Sequence, residues 1–261
     1  MINKTALITG ASSGIGKAFT EELAQQKYDL IIIARTEKAL QQLQKELELE
    51  HNINVKIIVK DLTLPNACQD IFNEIKQENL IVDLLINNAG FGDYGTFCDR
   101  PLEKQLNMIQ LNISALVELT HLFLQEMKIR KQGDIINVGS IAGYQPLPYL
   151  SVYSASKAFV LSFSEALWAE NQNLGINVLA LCPGPTESNF GKVAEFESQN
   201  NTIDTNLASA SAVVKEALIA LKKQKSNSVT GGLINQIMVN LPRFLPREII
   251  LNAVENQFKK K

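Results

Sequence analysis

Histidine, cysteine and excess charge are all scarce in this chain of 261 residues. There are 2 histidines and 3 cysteines, and Cys68, Cys98 and Cys182 lack the spacing of a metal site. We therefore expect neither a structural zinc site nor a histidine-based catalytic triad, and no bound metal. The net charge of -2 argues against a general nucleic-acid-binding surface.

Long hydrophobic runs are also missing, since no apolar stretch approaches the length that spans a bilayer. The first strand-like run begins at Lys4, which leaves no room for a secretion signal. We therefore expect a cytoplasmic protein.

What the chain does have is 46% hydrophobic residues, arranged as short apolar runs that alternate with longer segments of helical period. This alternation predicts one α/β domain over residues 1–261, built on a Rossmann-type doubly wound parallel sheet with helices on both faces. The last part of this domain, residues 233–261, is predicted to be a divergent helical tail. The seven predicted strands are 4–9, 29–34, 54–59, 83–86, 134–138, 176–181 and 228–230.

Two helix faces stand out between the strands. Their apolar residues recur at helical spacing, which predicts that each set faces the core. The first set is Leu40, Leu43 and Leu47, and the second is Ile109, Ile113, Leu116, Thr120, Phe123 and Met127.

A glycine-rich turn follows the first predicted strand and precedes an amphipathic helix. It reads Thr9-Gly10-Ala11-Ser12-Ser13-Gly14-Ile15-Gly16. Glycine allows a tight turn and a close approach to a pyrophosphate, while the N–H groups at the helix start favour negative charge. Alone, such a turn can be a simple β-α corner.

The end of the second strand reads Ala34-Arg35-Thr36, where an acidic residue would accept the adenosine ribose hydroxyls of NAD(H). The absence of that acid and the presence of Arg35 favour NADP(H), whose 2′-phosphate the guanidinium can bind. The alternative is that Arg35 only caps the strand in solvent.

Tyr153 and Lys157 lie four residues apart, so a helix presents both on one face, and Ser140 follows the fifth predicted strand. A free phenol has a pKa of about 10, and a nearby ammonium is expected to lower that pKa toward the pH at which the protein works. The three groups favour carbonyl/alcohol chemistry. A solitary Tyr-x-x-x-Lys is more often a solvated helix face.

Together these segments resemble the short-chain dehydrogenase/reductase superfamily, and the resemblance spans nearly the whole chain. The residues that carry it are Thr9, Gly10, Gly14 and Gly16, then Asn87-Asn88-Ala89-Gly90, then Asn112, Ser140, Tyr153 and Lys157, and finally Pro183-Gly184. The resemblance implies that Tyr153 is the proton donor, that Ser140 holds the substrate oxygen and that Lys157 supports both the tyrosine and the cofactor. Asn112 is expected to anchor a water that links Lys157 to solvent. The alternative is that the Asn112 side chain only satisfies backbone hydrogen-bonding groups at a break in the helix, and the two roles are compatible.

The same resemblance implies a set of NADP(H) contacts. Asp61 and Leu62 are expected to flank the adenine, and Asn88, Ala89 and Gly90 to lie under its ribose. The complete set is Gly10, Ser12, Ser13, Gly14, Ile15, Gly16, Arg35, Asp61, Leu62, Asn88, Ala89, Gly90, Tyr153, Lys157, Pro183, Gly184 and Thr186. After Gly184 the chain departs from the family pattern, so the contacts of Thr186 and Ser188 are open.

Three segments, 91–96, 141–150 and 190–196, are expected to meet above the nicotinamide. Their apolar and aromatic side chains favour a small, apolar ketone, aldehyde or alcohol. They are Phe91, Tyr94, Tyr144, Leu147, Tyr149, Leu150, Phe190 and Phe196. Any one of them can instead pack the loops together.

The tail carries Ile249, Ile250, Ala253, Val254 and Phe258 at near-helical spacing. We prefer a helix that covers the substrate cleft or a subunit interface to one that lies on a membrane surface, because Glu248 and Glu255 dilute its positive charge. A homodimer or homotetramer is expected. The expected function is NADP(H)-dependent interconversion of a carbonyl and an alcohol, and the alternative is a non-catalytic NADP(H)-binding sensor or scaffold.

Overall fold

The computed structural model describes residues 3–187, 194–195 and 207–258, without the side chains of Arg243 and Gln257. The predictions for Ser188, Phe190 and Phe196 lie outside the described residues.

Seven parallel strands form one sheet in the order β3-β2-β1-β4-β5-β6-β7. The prediction of a doubly wound parallel sheet is therefore confirmed, and the strand bounds lie within two residues of those expected. The strands are Thr5–Thr9 (β1), Asp29–Ala34 (β2), Val55–Val59 (β3), Leu84–Asn87 (β4), Gly133–Val138 (β5), Ile176–Pro183 (β6) and Asn227–Thr230 (β7).

Helices cover both faces of this sheet. They are Gly14–Gln25 (α1), Glu37–His51 (α2), Ala67–Gln77 (α3), Leu102–Ile109 (α4), Leu116–Arg130 (α5), Ser151–Asn171 (α6), Ala210–Lys222 (α7), Leu233–Asn240 (α8) and Arg247–Phe258 (α9). Within the described residues, none of them combines the length and apolar character needed to cross a bilayer.

Two hydrophobic cores lie on opposite faces of the sheet. In β2, Leu30 and Ile32 belong to the core that includes Phe19 of α1, whereas Ile31 and Ile33 belong to the other. Successive strand residues point to opposite faces, so both sides of β2 must be apolar. This explains why the strands read as continuous apolar runs.

A π-helical turn, Gln110–Ala115, separates α4 from α5. Because of this turn, the helix face predicted from Ile109 to Met127 is wrong in its first part. Leu116, Thr120, Phe123 and Met127 are buried as expected, but Ile109 is 38% exposed and Ile113 only half-buried. The wider π turn shifts the helical register by about one residue, so the buried face upstream of it differs from the one that a constant period predicts.

The tail forms α8, a 3₁₀ turn at Leu241–Phe244, and α9. Ile250 and Val254 of α9 are buried, and with Phe258 they join a third apolar cluster that includes Tyr94 and Tyr153. The tail therefore packs over the same end of the sheet as the predicted tyrosine, as a helix covering the cleft would. The expected homo-oligomer stays a prediction.

Gly16 allows α1 to pack closely against the turn that precedes it. A Cβ on Gly16 would lie 2.2 Å from the backbone oxygen of Gly10 and 2.5 Å from Nδ2 of Asn88. We expect Gly16→Ala to lower the free energy of unfolding by about 2 kcal/mol or more, because backbone atoms must move. Urea denaturation measures it, and the exposed Gln25→Ala in the same helix should change stability by less than about 0.5 kcal/mol. A stable Gly16→Ala variant would contradict this packing.

Candidate active site

A cavity of about 1300 Å³ opens at the carboxyl ends of the strands. The chain order reverses between β1 and β4, which are neighbours in the sheet, and open α/β sheets form their ligand crevice at such a point. The cavity is lined by the glycine turn after β1, by Arg35 after β2, by Asn88–Gly90 after β4 and by the ends of β5 and β6.

The glycine turn has the shape that a dinucleotide needs. Gly10 has φ +66, and a Cβ there would lie 2.8 Å from the Asn88 side chain and 3.0 Å from the Ala89 backbone. Ser12, Ser13, Gly14 and Ile15 line the cavity. Ser13 makes no side-chain cap to α1, and the first turn of α1 carries no acidic residue. The N–H groups at this helix start are therefore suited to an anion such as a pyrophosphate.

Asn88 and Ala89 tie β4 to β1 below that turn. Asn88 Nδ2 donates to the Thr9 carbonyl at 2.9 Å, and the N–H groups of Asn88 and Ala89 both donate to Thr9 Oγ1 at 3.0 Å. The same residues form the cavity wall. They hold the sheet together at the place where the wall must be rigid.

Arg35 lies at the cavity rim, where its side chain is 77% exposed and its Nη1 is 3.8 Å from Asp61 Oδ2. Asp61 also accepts hydrogen bonds from the Thr63 N–H at 2.9 Å and hydroxyl at 2.7 Å. Burial opposes its ionisation, but these bonds and the Arg35 charge hold the pKa of Asp61 below its ordinary value. Leu62 is buried beside them and Lys60 lines the same end.

Ser140 and Tyr153 meet at the other end of the cavity. The Ser140 oxygen accepts a hydrogen bond from the Ala142 N–H at 3.1 Å, and its side chain lies close enough to the Tyr153 hydroxyl to act on the pKa of the phenol. Ser140 stands at the start of a 3₁₀ turn, Ile141–Tyr144, that follows β5, and Tyr153 lies in the first turn of α6. The predicted pair of hydroxyls is therefore brought together.

Lys157 lies one turn further along α6, 6% exposed. Its Nζ donates to the Val138 carbonyl at 2.8 Å and is 5.9 Å from the Tyr153 ring centroid. Burial lowers the pKa of Lys157 to about 8. Burial also raises the pKa of Tyr153 to about 12, although the Ser140 hydrogen bond opposes the rise.

The predicted fall in the tyrosine pKa is therefore wrong for this structure. The ammonium faces the ring and the Val138 carbonyl, and removal of the phenol from water outweighs its influence. Tyr153 is consequently a neutral hydroxyl near pH 7 and can donate a proton.

Asn112 lies in the π-helical turn and is 1% exposed. Its Nδ2 donates to the Phe91 carbonyl at 2.9 Å and to Ser156 Oγ at 3.1 Å, while its Oδ1 accepts from the Phe91 N–H at 3.1 Å. A Cβ on Gly90 would touch Asn112 Oδ1 at 2.9 Å and Lys157 Nζ at 3.5 Å. Asn112 and Lys157 thus flank one glycine, and Asn112 fixes the loop beside it.

Cys182 is a site residue that the sequence reasoning missed. Burial raises the pKa of its thiol to about 12, although the nearby Tyr144 side chain and Ser140 backbone oppose the rise. A Cβ on Gly139 would lie 3.3 Å from Cys182 Sγ, so the neutral thiol packs directly against the residue that precedes Ser140. Its position directly before Pro183-Gly184 was the available signal, because it places the thiol beside the end of β5.

Pro183, Gly184 and Thr186 line the cavity as predicted. Thr186 Oγ1 donates to the Gly184 carbonyl at 2.8 Å. A Cβ on Gly184 would lie 2.0 Å from Nδ2 of Asn235, so α8 is packed directly against the end of β6.

The predicted aromatic wall is only partly present. Phe91, Leu147 and Leu150 line the cavity, whereas Tyr94, Tyr144 and Tyr149 do not. Tyr94 and Tyr149 pack with each other, with ring centroids 6.1 Å apart. The Tyr94 hydroxyl donates to the Phe258 carbonyl, which ties the loop after β4 to α9. The tail supplies further wall residues. Met238 and Val239 were not predicted, whereas Phe258 belongs to the tail helix that was expected to cover the cleft or a subunit interface.

Comparison with known proteins agrees with this geometry. The model of the short chain dehydrogenase family matches residues 4–199, so the chain belongs to that family and is an oxidoreductase of CH–OH and keto groups. It is 30% identical over 274 residues to very-long-chain 3-oxoacyl-CoA reductase of Mus musculus, covering 100% of this chain and 83% of the relative.

Two further similarities bear on the site. The chain is 32% identical over 259 residues to 17-beta-hydroxysteroid dehydrogenase type 3 of Rattus norvegicus, covering 97% of this chain and 80% of that one. A short-chain dehydrogenase from Sphingobium yanoikuyae, solved in complex with NADPH, superposes with a TM-score of 0.82 at 28% identity, covering 99% of this chain and 96% of that one.

Buried Lys157 makes stability depend on pH. Its pKa is about 8 when folded against an ordinary 10.5. The unfolded chain holds the Lys157 proton more tightly than the folded chain does. Burial of the charged ammonium therefore lowers the free energy of unfolding by its full amount below pH 8, and this loss of stability disappears as the pH rises through 10.5. We expect Lys157→Met to raise the free energy of unfolding by about 1–3 kcal/mol at neutral pH, and by roughly half as much near pH 9.5. Loss of the hydrogen bond to the Val138 carbonyl reduces this gain.

Urea titrations at several pH values measure this difference. The exposed Lys38→Met should change stability by less than about 0.5 kcal/mol at every pH. A Lys157→Met variant that is less stable than wild type at neutral pH would show that the ammonium is not a buried, uncompensated charge.

Proposed function

We propose that the protein is an NADP(H)-dependent oxidoreductase that interconverts an oxo group and a hydroxyl group on a bulky, largely apolar substrate. The observation that carries the proposal is that Ser140, Tyr153 and buried Lys157 line one end of the same cavity. The glycine turn lies in this cavity, so a dinucleotide bound there can reach them.

The residues of the cavity fit the cofactor. The N-terminus of α1 and the backbone of the turn from Gly10 to Ile15 would hold the pyrophosphate, since Gly10 leaves no room for a side chain and both Gly10 and Gly14 have positive φ. Asp61 and Leu62 would flank the adenine, and Asn88, Ala89 and Gly90 the adjacent ribose. Pro183, Gly184 and Thr186 would lie beside the nicotinamide. When bound, NADP(H) supplies or accepts the hydride.

Tyr153 would donate its proton to the substrate oxygen during reduction and take it back during oxidation. Because the pKa of Tyr153 is raised to about 12, the phenol carries its proton at neutral pH. The Ser140 hydroxyl, which lies beside Tyr153, would hold the same oxygen in line with the phenol. Cys182 would position Ser140 by packing against Gly139, the residue before it.

Lys157 and Asn112 would return the proton to Tyr153. Lys157 has a pKa of about 8, so it can give and regain a proton close to neutral pH. Asn112 holds the Phe91 backbone and lies against Gly90 as Lys157 does, so a water bound near Asn112 could reach Lys157.

The substrate is proposed to be bulkier than the small compound that the sequence favoured. The two relatives described above carry the names of a very-long-chain 3-oxoacyl-CoA reductase and a hydroxysteroid dehydrogenase, which support a large oxo or hydroxy compound. The wall that would contact it is apolar, with Phe91, Leu147, Leu150 and Val239.

NADP(H) is proposed over NAD(H) because Arg35 stands at the rim where an adenosine ribose would end. Its guanidinium is exposed, at 3.8 Å from Asp61, and can turn toward a 2′-phosphate. The structure similar to this chain that contains NADPH supports the same choice.

Tyr153→Phe removes one oxygen from the site. We expect NADPH-dependent reduction of bulky ketones to fall by about 10²–10⁴-fold while NADPH affinity changes little, because the proton donor is lost and the nucleotide-binding turn is intact. Steady-state NADPH oxidation and fluorescence titration measure the two quantities. Tyr28→Phe deletes the same atom at a tyrosine that does not line the cavity and should leave both unchanged.

If wild type and Tyr153→Phe were equally inactive across a broad panel of bulky and small carbonyls while both bound NADPH, the catalytic proposal would fail. The non-catalytic sensor would then be the better account.

Arg35→Asp replaces the guanidinium by the acid that prefers ribose hydroxyls. Two lost charge-assisted hydrogen bonds of about 1.5 kcal/mol each correspond to roughly a hundredfold fall in the ratio of NADPH to NADH turnover. The measurement is kcat/KM for both nucleotides. Lys38→Asp makes the same change of charge nearby, away from the cavity, and should keep the ratio within about threefold. An unchanged ratio in Arg35→Asp would show that Arg35 is only a solvent-exposed cap.

A further inference from the structure

A buried chain of polar side chains connects two strands of the sheet to two helices. Asn87 of β4 and Asn137 of β5 are neighbours in the parallel register, and Asn87 Nδ2 donates to Asn137 Oδ1 at 2.9 Å. Asn87 Nδ2 also donates to Thr120 Oγ1 of α5 at 2.9 Å. Asn137 Nδ2 donates to Ser164 Oγ of α6 at 3.0 Å. All four of these described residues are at most 3% exposed, and the cavity wall does not include them.

The hydrogen bonds at the α6 end of this chain have fixed directions. The Ser164 hydroxyl donates its hydrogen to the Val160 carbonyl at 2.7 Å, which leaves its oxygen to accept from Asn137. The Asn137 amide is oriented in turn by Asn87, because its oxygen accepts from one strand while its nitrogen donates to the helix. Buried polar groups with fixed partners hold their elements in one arrangement, whereas apolar contacts are non-directional.

The polar chain is not the most stabilising way to fill this part of the core. Asn87 Oδ1 is buried without a hydrogen-bond partner among the described residues. An unpaired buried polar atom lowers the free energy of unfolding, and apolar side chains of the same shape would avoid that cost. This favours a role in arranging the strands and helices over a role in stability.

Ser164 lies on the same face of α6 as the residues proposed to act in the reaction. Tyr153, Lys157 and Ser164 are all buried. They occupy positions i, i+4 and i+11, which lie within about 40° of one another around a helix. Eleven residues of helix span about 16 Å, so any effect of Ser164 on the reacting atoms must act through the position of the helix.

Asn137 lies next to a second contact between β5 and α6. It directly precedes Val138, whose carbonyl accepts a hydrogen bond from Lys157 Nζ at 2.8 Å, and Ser140 follows two residues after Val138. Side-chain hydrogen bonds therefore join α6 to β5 at two places, one at Lys157 and one at Ser164. A single hydrogen bond would allow the helix to pivot, and the start of α6 would then move relative to the end of β5.

We propose that Asn137 and Ser164 are positioning residues, whose buried hydrogen bond fixes α6 on β5 and thereby sets Tyr153 at the separation from Ser140 that the reaction needs. This inference rests on the oxidoreductase function proposed above. A misplacement of about 1 Å can cost about a hundredfold in rate, so loss of this bond should lower kcat although no group leaves the cavity. NADPH binding should persist, because the glycine turn is not part of the polar chain.

The test compares two deletions of one hydroxyl, at the two ends of the polar chain. Ser164→Ala removes the bond to α6. Thr120→Val removes the bond to α5, a helix that carries none of the residues proposed to act in the reaction. Each variant leaves one hydrogen bond of an asparagine nitrogen unmade, so both should lose comparable stability in urea denaturation.

With NADPH and a bulky ketone, Ser164→Ala should lower kcat by at least about tenfold, while the KM of the ketone and the affinity for NADPH stay within about threefold of wild type. Thr120→Val should keep all three quantities within about threefold. A purely structural role predicts the same kcat for both variants. Equal kcat values in the two variants, whether lowered or unchanged, would therefore overturn the proposal.

Ser164→Cys makes the same comparison if Ser164→Ala does not bind NADPH. Its thiol fills the place of the hydroxyl but is only a weak acceptor, so kcat should still fall by at least about threefold. A Ser164→Cys variant that binds NADPH and has the kcat of wild type would contradict the proposal.

The ¹³C NMR signal of the Tyr153 ζ carbon decides the question if wild type reduces no carbonyl, a result that is the failure of the oxidoreductase proposal alone. Measured without substrate, this signal reports the surroundings of the phenol. It should shift in Ser164→Ala and stay in place in Thr120→Val. The same signal in both variants would show that Ser164 does not position Tyr153.

Discussion

The site depends on an ammonium group held out of water. Lys157 has the Val138 carbonyl as the hydrogen-bond acceptor of its Nζ, and its lowered pKa shows that burial destabilises the charge. Such a group stays in place only when its surroundings are rigid. The surroundings here are close-packed: a Cβ on Gly143 would lie 2.6 Å from the Lys157 carbonyl, and a Cβ on Gly139 would lie 3.3 Å from Cys182 Sγ. The same packing excludes water from the Tyr153 hydroxyl, which raises its pKa and keeps it protonated at neutral pH.

The sheet topology explains why this rigid end is also a binding site. Because β1 and β4 are neighbours, the glycine turn and the Asn88–Gly90 wall face each other across one crevice. Ser140 and Tyr153 close its far end. The tail completes the enclosure, since Val239 of α8 and Phe258 of α9 line the cavity, and the Tyr94 hydroxyl bonds to the Phe258 backbone. One side of the tail thus belongs to the cavity.

Much of this could be predicted from the sequence, because the strands are buried on both faces and read as continuous apolar runs. The glycine turn, Arg35, Ser140, Tyr153 and Lys157 all line the cavity for the same reason: each follows a strand at its carboxyl end or lies in the first two turns of the next long helix. The errors have physical causes. The π turn shifted the face at Ile109, and the orientation of Tyr94 and Tyr149 depends on the tail that packs against them. The raised pKa of Tyr153 depends on burial, which spacing does not reveal.

The central claim is that Tyr153 is a buried, neutral phenol before substrate binds. The most direct measurement is a ¹³C NMR titration of protein labelled at the ζ carbon of its 5 tyrosines, with the Tyr153 signal assigned by its loss in Tyr153→Phe. With a pKa of about 12, the Tyr153 signal should keep its protonated shift up to at least about pH 10. A Tyr153 signal that titrates at about pH 9 or below would contradict the account, because it would show that the Lys157 charge outweighs burial.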